Sequence, residues 1–397
     1  MNYISNKNSI LFFTVFSLFF IGCSKEDDYF FISHSSKEDA QLEKVFNMVK
    51  DYHRDLSTKS INEPEIVVTS YEKKTYVYPI SKEINMLSEN EDNDSTQVDL
   101  YYITFNKGQN RGYAFVSGDE RINRVYAYTE SGDISDTTYI YPLACSIKAI
   151  PYTLEKDLQR HYSNASSKVG TYCSYGPLIS TTWGQTAPYN MYAPEFNWTS
   201  EAENIAYERR HAAGCVNVAT AQVIAYYEKF KGTMIGNRNI DFKTLKANSI
   251  ITTTSSQAQI VGNFFRDIIS KNNSVFNSDG TTGAKLDATY TYLKGMGYSC
   301  NYSKDVNVNI NTLFNNIKRG NPHITGGCRN KPKRSGHCWI WDGIKGYLNG
   351  SSFTVESIHC NWGWGGSSDG WFVNYEQPDP NMESYYDDNN QLYITEK

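Results

Sequence analysis

The sequence of 397 residues predicts an α+β fold built from two units. Helical and strand patterns form separate contiguous runs in the second unit, which argues against an alternating, doubly wound arrangement. A stretch rich in Ser and Gly and without periodicity, residues 163–180, lies between the units and is expected to be an exposed linker. The net charge of −5 gives no electrostatic reason to expect a nucleic-acid partner.

The N-terminus has the pattern of a targeting segment. Lys7 provides a positive charge, and residues 10–21 form an apolar run that is too short for a mature membrane anchor but suits a signal peptide. Gly22 directly precedes Cys23, which resembles the bacterial lipobox, where the signal peptide is removed and the Cys receives lipid. We therefore expect residues 1–22 to be a lipoprotein signal peptide and Cys23 to be lipidated.

The expected location is the outer membrane or the cell surface, with the lipid on Cys23 as the only membrane attachment. The acidic segment "SKEDD" directly after this Cys resembles the export tag of surface-exposed lipoproteins. The alternative is a soluble secreted protein that is cleaved nearby.

The first unit reads as a helix followed by strands. Ser35 and Glu38 form a capping-box signal for a helix over residues 35–52. The apolar residues of this helix share one face: Leu42, Val45, Phe46, Val49 and Tyr52. Strand-like runs and a last helical segment then follow, over residues 98–105, 112–119, 124–130 and 154–162. The unit contains no pairing of Cys with His and no carboxylate cluster that would suggest chemistry.

The second unit begins with helices and ends with strands. Helical patterns cover residues 214–230, 256–270 and 284–294. Strand patterns cover residues 322–327, 336–344, 352–360 and 370–375. The pair Asn349 and Gly350 predicts a hairpin turn before one of these strands.

Cys215 is the candidate nucleophile. Gly214 allows a tight turn before it, and the following small and apolar residues predict a helix with Cys215 in the first turn. The positive end of the helix dipole is expected to lower the pKa of a thiol at this place. Taken alone the signal is weak, because a buried structural Cys at the start of a helix is at least as common.

A thiol nucleophile needs a base, and His337 is the best candidate among the seven His. His337 and Asn361 stand 122 and 146 residues after Cys215, close to the order and spacing of papain-like proteases. We expect Asn361 to accept the imidazole N–H, with Trp362 or Trp364 covering that hydrogen bond from water.

Asp342 and His211 are the alternatives, the first as the partner of His337 and the second as the His nearest to Cys215 in the sequence. Asp342 is an alternative partner for His337, but a residue five positions further along a strand points to the opposite face. His211, four residues before the nucleophile, is expected to be a loop residue.

Gln185 is the candidate oxyanion donor. It lies 30 residues before Cys215, in "TTWGQTAPYN", and its amide could act together with the main-chain N–H of Cys215. For any single Gln, simple solvation at the surface is the more common role.

Four segments occur in the order seen in streptopain-like cysteine proteases, a branch of the papain-like superfamily: "WGQTAPYN", "HAAGCVNVATAQ", "GHCWIWDG" and "NWGWGGSSDGWF". A further segment, "YAFVSGDERINRVYAYTESGDIS", resembles part of the propeptide of that family. The resemblance covers residues 98–372. It implies a papain-like fold, in which a helical part carries the Cys and an antiparallel sheet carries the His, after a small α+β propeptide domain.

The resemblance also implies roles for individual residues. The implied catalytic set is Cys215 as nucleophile, His337 as base, Gln185 at the oxyanion and Asn361 beside the His. The implied substrate-binding set is Gly336, which precedes the His, Thr282 in the loop "DGTTGAK", Trp362 and Trp364.

A zymogen is implied as well. Residues 23–168 are expected to form an inhibitory propeptide, which would be the intramolecular partner of the enzyme. Its removal is expected in the Ser-rich linker, with the bond Lys168–Val169 as the best candidate. Residues 169–397 would then be the catalytic domain.

The implied function is a secreted or surface-anchored cysteine endopeptidase that hydrolyses protein or peptide substrates through an acyl-enzyme. The alternatives are another Cys-dependent acyl transferase, such as a cell-wall amidase or a transglutaminase, and a non-enzymatic lipoprotein that binds proteins. No cofactor is expected. The His-Cys pairs at 337/338 and 359/360 are not expected to bind a metal, since adjacent residues of a strand point to opposite faces.

The remaining cysteines show no regular disulfide framework, and their state stays open. Cys338 departs from the aliphatic pattern of the family at its position. It is expected either to pack inward or to pair with another Cys.

Overall fold

The structure is a computed structural model, and it describes residues 37–56, 64–79, 95–163, 169–230, 240–304, 309–329, 335–373 and 388–394. The predicted signal peptide, Cys23, Ser35 and Lys168 lie outside the described residues. We call residues 37–163 the N-terminal domain and residues 169–394 the C-terminal domain. None of the described helices combines the length and the apolar character that crossing a membrane requires.

The N-terminal domain is a four-stranded antiparallel sheet with helices on its faces. Its strands are β1 (Ile66–Pro79), β2 (Ser95–Lys107), β3 (Asn110–Ser117) and β4 (Arg124–Thr129). Its helices are α1 (Lys37–Leu56), a 3-10 turn (Ile134–Thr138), α2 (Tyr141–Lys148) and α3 (Ile150–Tyr162). The predicted apolar face of α1 packs on one side of the sheet, where Val45 and Val49 are fully buried.

The C-terminal domain contains helices first and long strands later, as the sequence predicts. Its helices are α4 (Glu201–Ala206), α5 (Cys215–Tyr227), α6 (Phe242–Leu245), α7 (Ala258–Lys271), α8 (Leu286–Gly295) and α9 (Ile310–Lys318). Its strands are β5 (Thr171–Tyr175), β6 (Val275–Phe276), β7 (Thr282–Gly283), β8 (Cys300–Lys304), β9 (His323–Arg329), β10 (Ser335–Asn349), β11 (Ser352–Asn361), β12 (Gly370–Val373) and β13 (Asp388–Ile394). The predicted hairpin turn joins β10 to β11, with Gly350 at a φ of 59°.

One antiparallel sheet runs through both domains. Its order is β1-β2-β3-β4-β12-β11-β10-β9-β13-β8, and β5 pairs with the second half of β10. The two domains join where β4 pairs with β12, in the register Thr129 with Gly370 and Ala127 with Phe372. The N-terminal domain therefore extends the sheet that carries His337.

Different cores lie on the two sides of the C-terminal sheet. One core surrounds the apolar helix α5 and includes Cys338 and Ile340, which point from β10 toward that helix. The other core contains Trp339 and Trp362, and it is filled by side chains of the N-terminal domain such as Leu143 and Leu154. We call residues 179–304 around α5 the Cys wall, and residues 335–373 the His wall.

The predicted α+β class is confirmed, and the predicted helices and strands are found with small shifts of their ends. The linker prediction for residues 163–180 is wrong in part, because residues 171–175 form β5. This strand carries no fully buried side chain, so it has no hydrophobic pattern to reveal it. Helix α9, which packs against β10 and β11, was also not predicted.

Candidate active site

Cys215 is the first residue of α5, and Gly214 makes the turn that puts it there. Gly214 has a φ of 91°, and a side chain on it would begin 2.7 Å from the carbonyl oxygen of Thr282. Only glycine fits such a conformation and such a close approach. The side chain of Thr282 also stabilises this turn, because its hydroxyl donates a hydrogen bond to the carbonyl of Ala212 at 2.6 Å.

The Cys215 sulfur faces the strand that carries His337. Burial raises the pKa of the Cys215 thiol, and the main-chain N–H groups of Cys338, Val216 and Cys215 itself oppose this shift without cancelling it. The predicted lowering of this pKa by the helix start is therefore wrong for this form of the protein, because desolvation outweighs the dipole. The contact with the N–H of Cys338 brings the sulfur to the residue directly after His337.

His337, the candidate base, is fixed by a hydrogen bond from one of its ring nitrogens. Its Nε2 lies 2.9 Å from the carbonyl oxygen of Trp362, so this nitrogen carries the proton and donates it, and Nδ1 keeps a free lone pair. Burial lowers the pKa of His337 to about 4, although the Trp362 carbonyl favours the protonated form. The imidazole ring stacks nearly parallel to Trp339 and Trp364, with ring centres 6.3 and 6.2 Å away. Both shifts favour the uncharged forms of the thiol and of the imidazole.

Asn361 does not make the contact predicted for it. Its Oδ1 accepts a hydrogen bond from Nε2 of Gln222 at 2.9 Å, and its Nδ2 donates to the carbonyl of Thr181 at 2.9 Å. The imidazole N–H goes to the main chain of the next residue, Trp362. The acceptor of the imidazole N–H is thus a main-chain carbonyl, and the side chain at position 361 does not reveal it.

Asp342 also lies away from His337. Its carboxylate contacts Nδ1 of His359 at 2.6 Å and accepts the N–H of Ile179 at 2.9 Å. The charge of Asp342 raises the pKa of His359 against the opposing effect of burial, so these two residues form a buried ion pair. This pair lies in the His wall and ties it to the segment before Gln185.

Gln185 is buried beside the nucleophile turn. Its main-chain carbonyl oxygen accepts a hydrogen bond from the N–H of Ala213 at 2.9 Å. This bond fixes the Gln185 loop against the residues directly before Cys215. The preceding Gly184 packs against the His wall, where a side chain on it would begin 3.0 Å from the nitrogen of Gly365. The Gln185 loop thus links the turn before Cys215 to the His wall.

The four predicted substrate contacts occupy different environments. Gly336 is exposed at the start of β10, whereas Thr282 is buried and uses its hydroxyl within the Cys wall. Trp362 is only 1% exposed and donates its indole N–H to the carbonyl of Ser368, so it lies beneath the surface in this form. Trp364 is partly exposed and lies against the imidazole.

The N-terminal domain holds the loop that presents the Trp362 carbonyl. We call this segment, residues 362–369, the Trp loop. A buried carboxylate of the N-terminal domain, Asp136, accepts hydrogen bonds from the hydroxyls of Ser367 and Ser368, each at 2.6 Å. Further contacts link the Trp loop to the N-terminal domain, namely Ser368 N–H to Ser131 carbonyl at 2.8 Å, Ser131 hydroxyl to Gly366 carbonyl at 3.0 Å, and the ring of Tyr139 edge-on to Trp364.

Gln222 is the residue of the site that the sequence prediction missed. It lies on α5, seven residues after Cys215, and its side chain is fully buried in the Cys wall. Its Oε1 accepts hydrogen bonds from the hydroxyl of Thr181 at 3.0 Å and from the N–H of Trp183 at 3.1 Å. The available signal was an amide inside a mostly apolar helix, and Asn217 on the same helix shares that signal.

Comparisons with known proteins agree with this geometry. Residues 183–372 match the Peptidase C10 family, and residues 56–149 match the Spi protease inhibitor. Streptopain from Streptococcus pyogenes serotype M1 is 22% identical over 306 residues, which cover 66% of this chain and 71% of that protein. Streptopain from serotype M3 (strain ATCC BAA-595 / MGAS315) is 23% identical over 301 residues, with the same coverage.

Among solved structures, a fragment of prointerpain A from Prevotella intermedia has a similar fold. The TM-score is 0.52 at 21% identity, and the match covers 73% of this chain and 94% of the fragment. The fold agrees with the papain-like arrangement that the sequence predicts. The C-terminal domain therefore matches the Peptidase C10 family, which supports a cysteine endopeptidase, and a domain that matches a protease inhibitor precedes it in the chain.

Proposed function

We propose that this chain is the exported precursor of a cysteine endopeptidase that cleaves peptide bonds with Cys215 and His337. The observation that carries the proposal is the environment of the sulfur. Cys215 sits at a helix start against the N–H of Cys338, and the neighbouring His337 has one nitrogen fixed by the Trp362 carbonyl. A thiol that contacts the strand residue next to an imidazole, with the far nitrogen of that imidazole held, is an arrangement that can activate a nucleophile.

The proposed reaction begins with transfer of the thiol proton to Nδ1 of His337. The Cys215 sulfur then attacks the scissile carbonyl carbon, and the Gln185 amide and the Cys215 N–H stabilise the oxyanion. The carbon–nitrogen bond breaks as the imidazolium gives its proton to the leaving amine. Water, deprotonated by the same imidazole, hydrolyses the thioester and restores the free thiol.

The N-terminal domain is proposed to inhibit the enzyme by holding the His wall. Asp136 and Ser131 bind the Trp loop, and the apolar residues of α2 and α3 cover Trp339 and Trp362. The raised pKa of the Cys215 thiol and the lowered pKa of the His337 imidazole fit a latent enzyme, because a reactive cysteine requires its thiolate.

Removal of the N-terminal domain is proposed at Lys168–Val169. Val169 is exposed and lies just before β5, so a cut at this bond leaves the pairing of β5 with β10 intact. Exposed segments before a paired strand are favoured sites of proteolytic nicking. N-terminal sequencing of the processed enzyme checks this bond, and a start beyond Thr171 would contradict it.

The experiment that tests the activity compares the full-length chain with Cys215→Ala for casein hydrolysis and for loss of the N-terminal domain. The variant should lose at least about 10⁴-fold of the casein activity, since removal of a nucleophile costs this much or more in comparable enzymes. Cys173→Ala is the matched control, because Cys173 is a free thiol on β5 outside the site. Casein hydrolysis that persists in Cys215→Ala would contradict the proposal.

Export as a lipoprotein is the last part of the proposal, and it is supported by the sequence before Cys23. Wild type should incorporate radiolabelled palmitate and remain with the membrane fraction, whereas Cys23→Ser should do neither. A labelled Cys23→Ser protein, or an unlabelled wild type, would contradict lipidation at this residue.

A further inference from the structure

We propose that Gln222 is a positioning residue, which acts through Asn361 to hold the nucleophile helix, the Gln185 loop and the Trp loop in register. This inference rests on the proposed function and adds a residue to it. Gln222 touches none of the reacting groups. It lies two helical turns beyond Cys215, about 10 Å along the axis of α5.

The Gln222 amide joins segments that are distant in the sequence. Its Oε1 receives the Trp183 N–H and the Thr181 hydroxyl, which fixes the chain two residues before Gln185. Its Nε2 donates to Oδ1 of Asn361, at the end of β11. One side chain on the nucleophile helix therefore binds both the oxyanion segment and the His wall.

Asn361 connects Gln222 to the Trp362 carbonyl, which accepts the imidazole N–H of His337. Its Oδ1 also receives the N–H of Gly363 at 3.2 Å, which bridges across Trp362 and shapes the turn that presents the Trp362 carbonyl. Its Nδ2 returns to the carbonyl of Thr181, so the ring of contacts closes on the Gln185 side. A shift of the Asn361 amide would move the carbonyl that holds His337.

Such a link matters because the reacting groups belong to three separate segments. Catalysis requires the sulfur, the imidazole and the oxyanion donors within a few tenths of an ångström of their productive positions, and a misplacement of 1 Å costs about 100-fold in rate. The amide pair of Gln222 and Asn361 is buried and links the Cys wall to the His wall.

The test compares two substitutions at this position in the processed enzyme made from the full chain. Gln222→Met keeps the length of the side chain and removes every hydrogen bond. Gln222→Glu is the conservative variant, because its protonated carboxyl can donate to Asn361 and accept from Trp183, while its charged form cannot donate. Burial raises the pKa of such a carboxyl into a range where activity can be measured.

The control is Thr220→Val on the same helix. Thr220 is fully buried, and its hydroxyl donates to the carbonyl of Val216 and contacts Thr289 on α8, away from the His wall. Like Gln222→Met, this variant removes a buried hydrogen bond from α5. Its melting temperature shows what such a loss does to stability alone.

The measurements are kcat and KM on a fluorogenic peptide, their pH dependence, and the melting temperature. We expect Gln222→Met to lower kcat by about 10- to 100-fold with KM changed less than about threefold. Thr220→Val should keep kcat within about twofold. Relative to wild type, Gln222→Glu should regain kcat as the pH is lowered through the pKa of its carboxyl.

Two results would overturn the inference. One is a folded Gln222→Met enzyme whose kcat equals that of Thr220→Val, since Gln222 would then contribute to stability only. If Gln222→Met does not fold, Gln222→Glu decides, and a kcat that keeps a constant ratio to wild type at every pH would contradict positioning. Neither result bears on the proposed function, which fails if casein hydrolysis persists in Cys215→Ala.

Discussion

The two walls of the active site differ in what the N-terminal domain does to them. The core of the Cys wall is built from the C-terminal domain alone within the described residues. The core behind the His wall is shared, because α2, α3 and strands of the N-terminal domain fill the space around Trp339 and Trp362. Cys215 is therefore placed by its own domain, and His337 is placed with the help of the domain that precedes it.

Polar contacts repeat this asymmetry. The N-terminal domain extends the sheet at β12, binds the Trp loop through Asp136, and donates from Arg124 to the carbonyl of Glu356 at 2.7 Å. All of these contacts go to the His wall. The proposed inhibition would therefore act through the His wall, and substitutions in the two walls should have different consequences.

The largest effect is expected from comparing two histidines of the His wall. His337→Ala should lower kcat/KM on casein by about 10²- to 10⁴-fold, the contribution of a positioned general base. His359→Ala should change the activity per folded molecule by less than about tenfold, because His359 pairs with Asp342 and not with the nucleophile. Active-site titration of the processed enzymes provides the fraction of folded molecules.

His359→Ala should instead lower stability. It leaves the buried Asp342 carboxylate without its partner, which costs about 3 kcal/mol or more in the free energy of unfolding. The Asp342 charge holds the pKa of His359 above 6.5. The native state thus binds the proton more tightly than the unfolded state, so this stability is complete below pH 6.5 and is lost as the pH rises through the folded pKa. Equal activity losses in both variants would break the distinction between base and structural pair.

The next largest effect concerns the thiol before and after processing. In the precursor burial raises the pKa of Cys215, so its alkylation by iodoacetamide should rise about tenfold per pH unit between pH 5 and 7, as the thiolate fraction does. In the processed enzyme a thiolate paired with imidazolium should give a nearly flat profile over this range. Mass spectrometry separates the two species in one mixture. A flat profile in the precursor would show that the N-terminal domain leaves the dyad assembled.

A smaller effect is expected from loosening the Trp loop in the precursor. Asp136→Ala removes the acceptor of two serine hydroxyls, and a hydrogen bond to a charged group contributes about 1.5–3 kcal/mol. Loss of one such bond is enough to raise the population of the released loop about tenfold. We expect the N-terminal domain to be lost at least about tenfold faster, measured by gel electrophoresis over time.

Asp133→Ala is the matched control for this prediction. Asp133 lies three residues earlier, caps the 3-10 turn through the N–H of Ser135 and pairs with Arg111 within the N-terminal domain. It should leave processing within about twofold of wild type. Equal acceleration in both variants would mean that the stability of the N-terminal domain, and not its hydrogen bonds to the Trp loop, sets the rate of processing.

The parts of the candidate site that depend on side-chain chemistry could be proposed from the sequence. A nucleophilic thiol and an imidazole base leave residue types at characteristic spacings, which single out Cys215 and His337. The acceptor for the imidazole could not be found in this way, because it is the main-chain carbonyl of Trp362, and any residue provides one. The sequence pointed to Asn361 as this acceptor because its side-chain amide is a polar group directly before Trp362.

The parts of the fold that depend on pairing with distant strands were harder to predict. Strand β5 has side chains that are all at least partly exposed, and most of β1 is exposed as well, so neither shows a hydrophobic period. The junction of β4 with β12 joins segments from opposite halves of the chain through main-chain hydrogen bonds. The pKa of Cys215 was mispredicted because the helix dipole is a local property, while desolvation depends on the whole fold.

The smallest expected effect comes from a cation on the boundary of the two domains. Lys345 is buried, and its ammonium lies 4.2 Å from the ring centre of Tyr52 on α1 and 4.4 Å from that of Trp371 on β12. Burial lowers the pKa of Lys345 to about 8, against the opposing charges of Glu356 and Asp55, so the ammonium is charged at neutral pH and the rings stabilise it.

This contact can be measured with a double-mutant cycle in the precursor. Tyr52→Leu and Lys345→Met should be coupled by about 0.5–2 kcal/mol in the free energy of unfolding at pH 7, the range for cation–π pairs. The coupling should fade above pH 8, because the neutral amine has no charge for the ring to stabilise. In the processed enzyme Lys345 faces Trp371 without Tyr52. Additive single substitutions at pH 7 would mean that the N-terminal domain is held on the His wall without help from this cation.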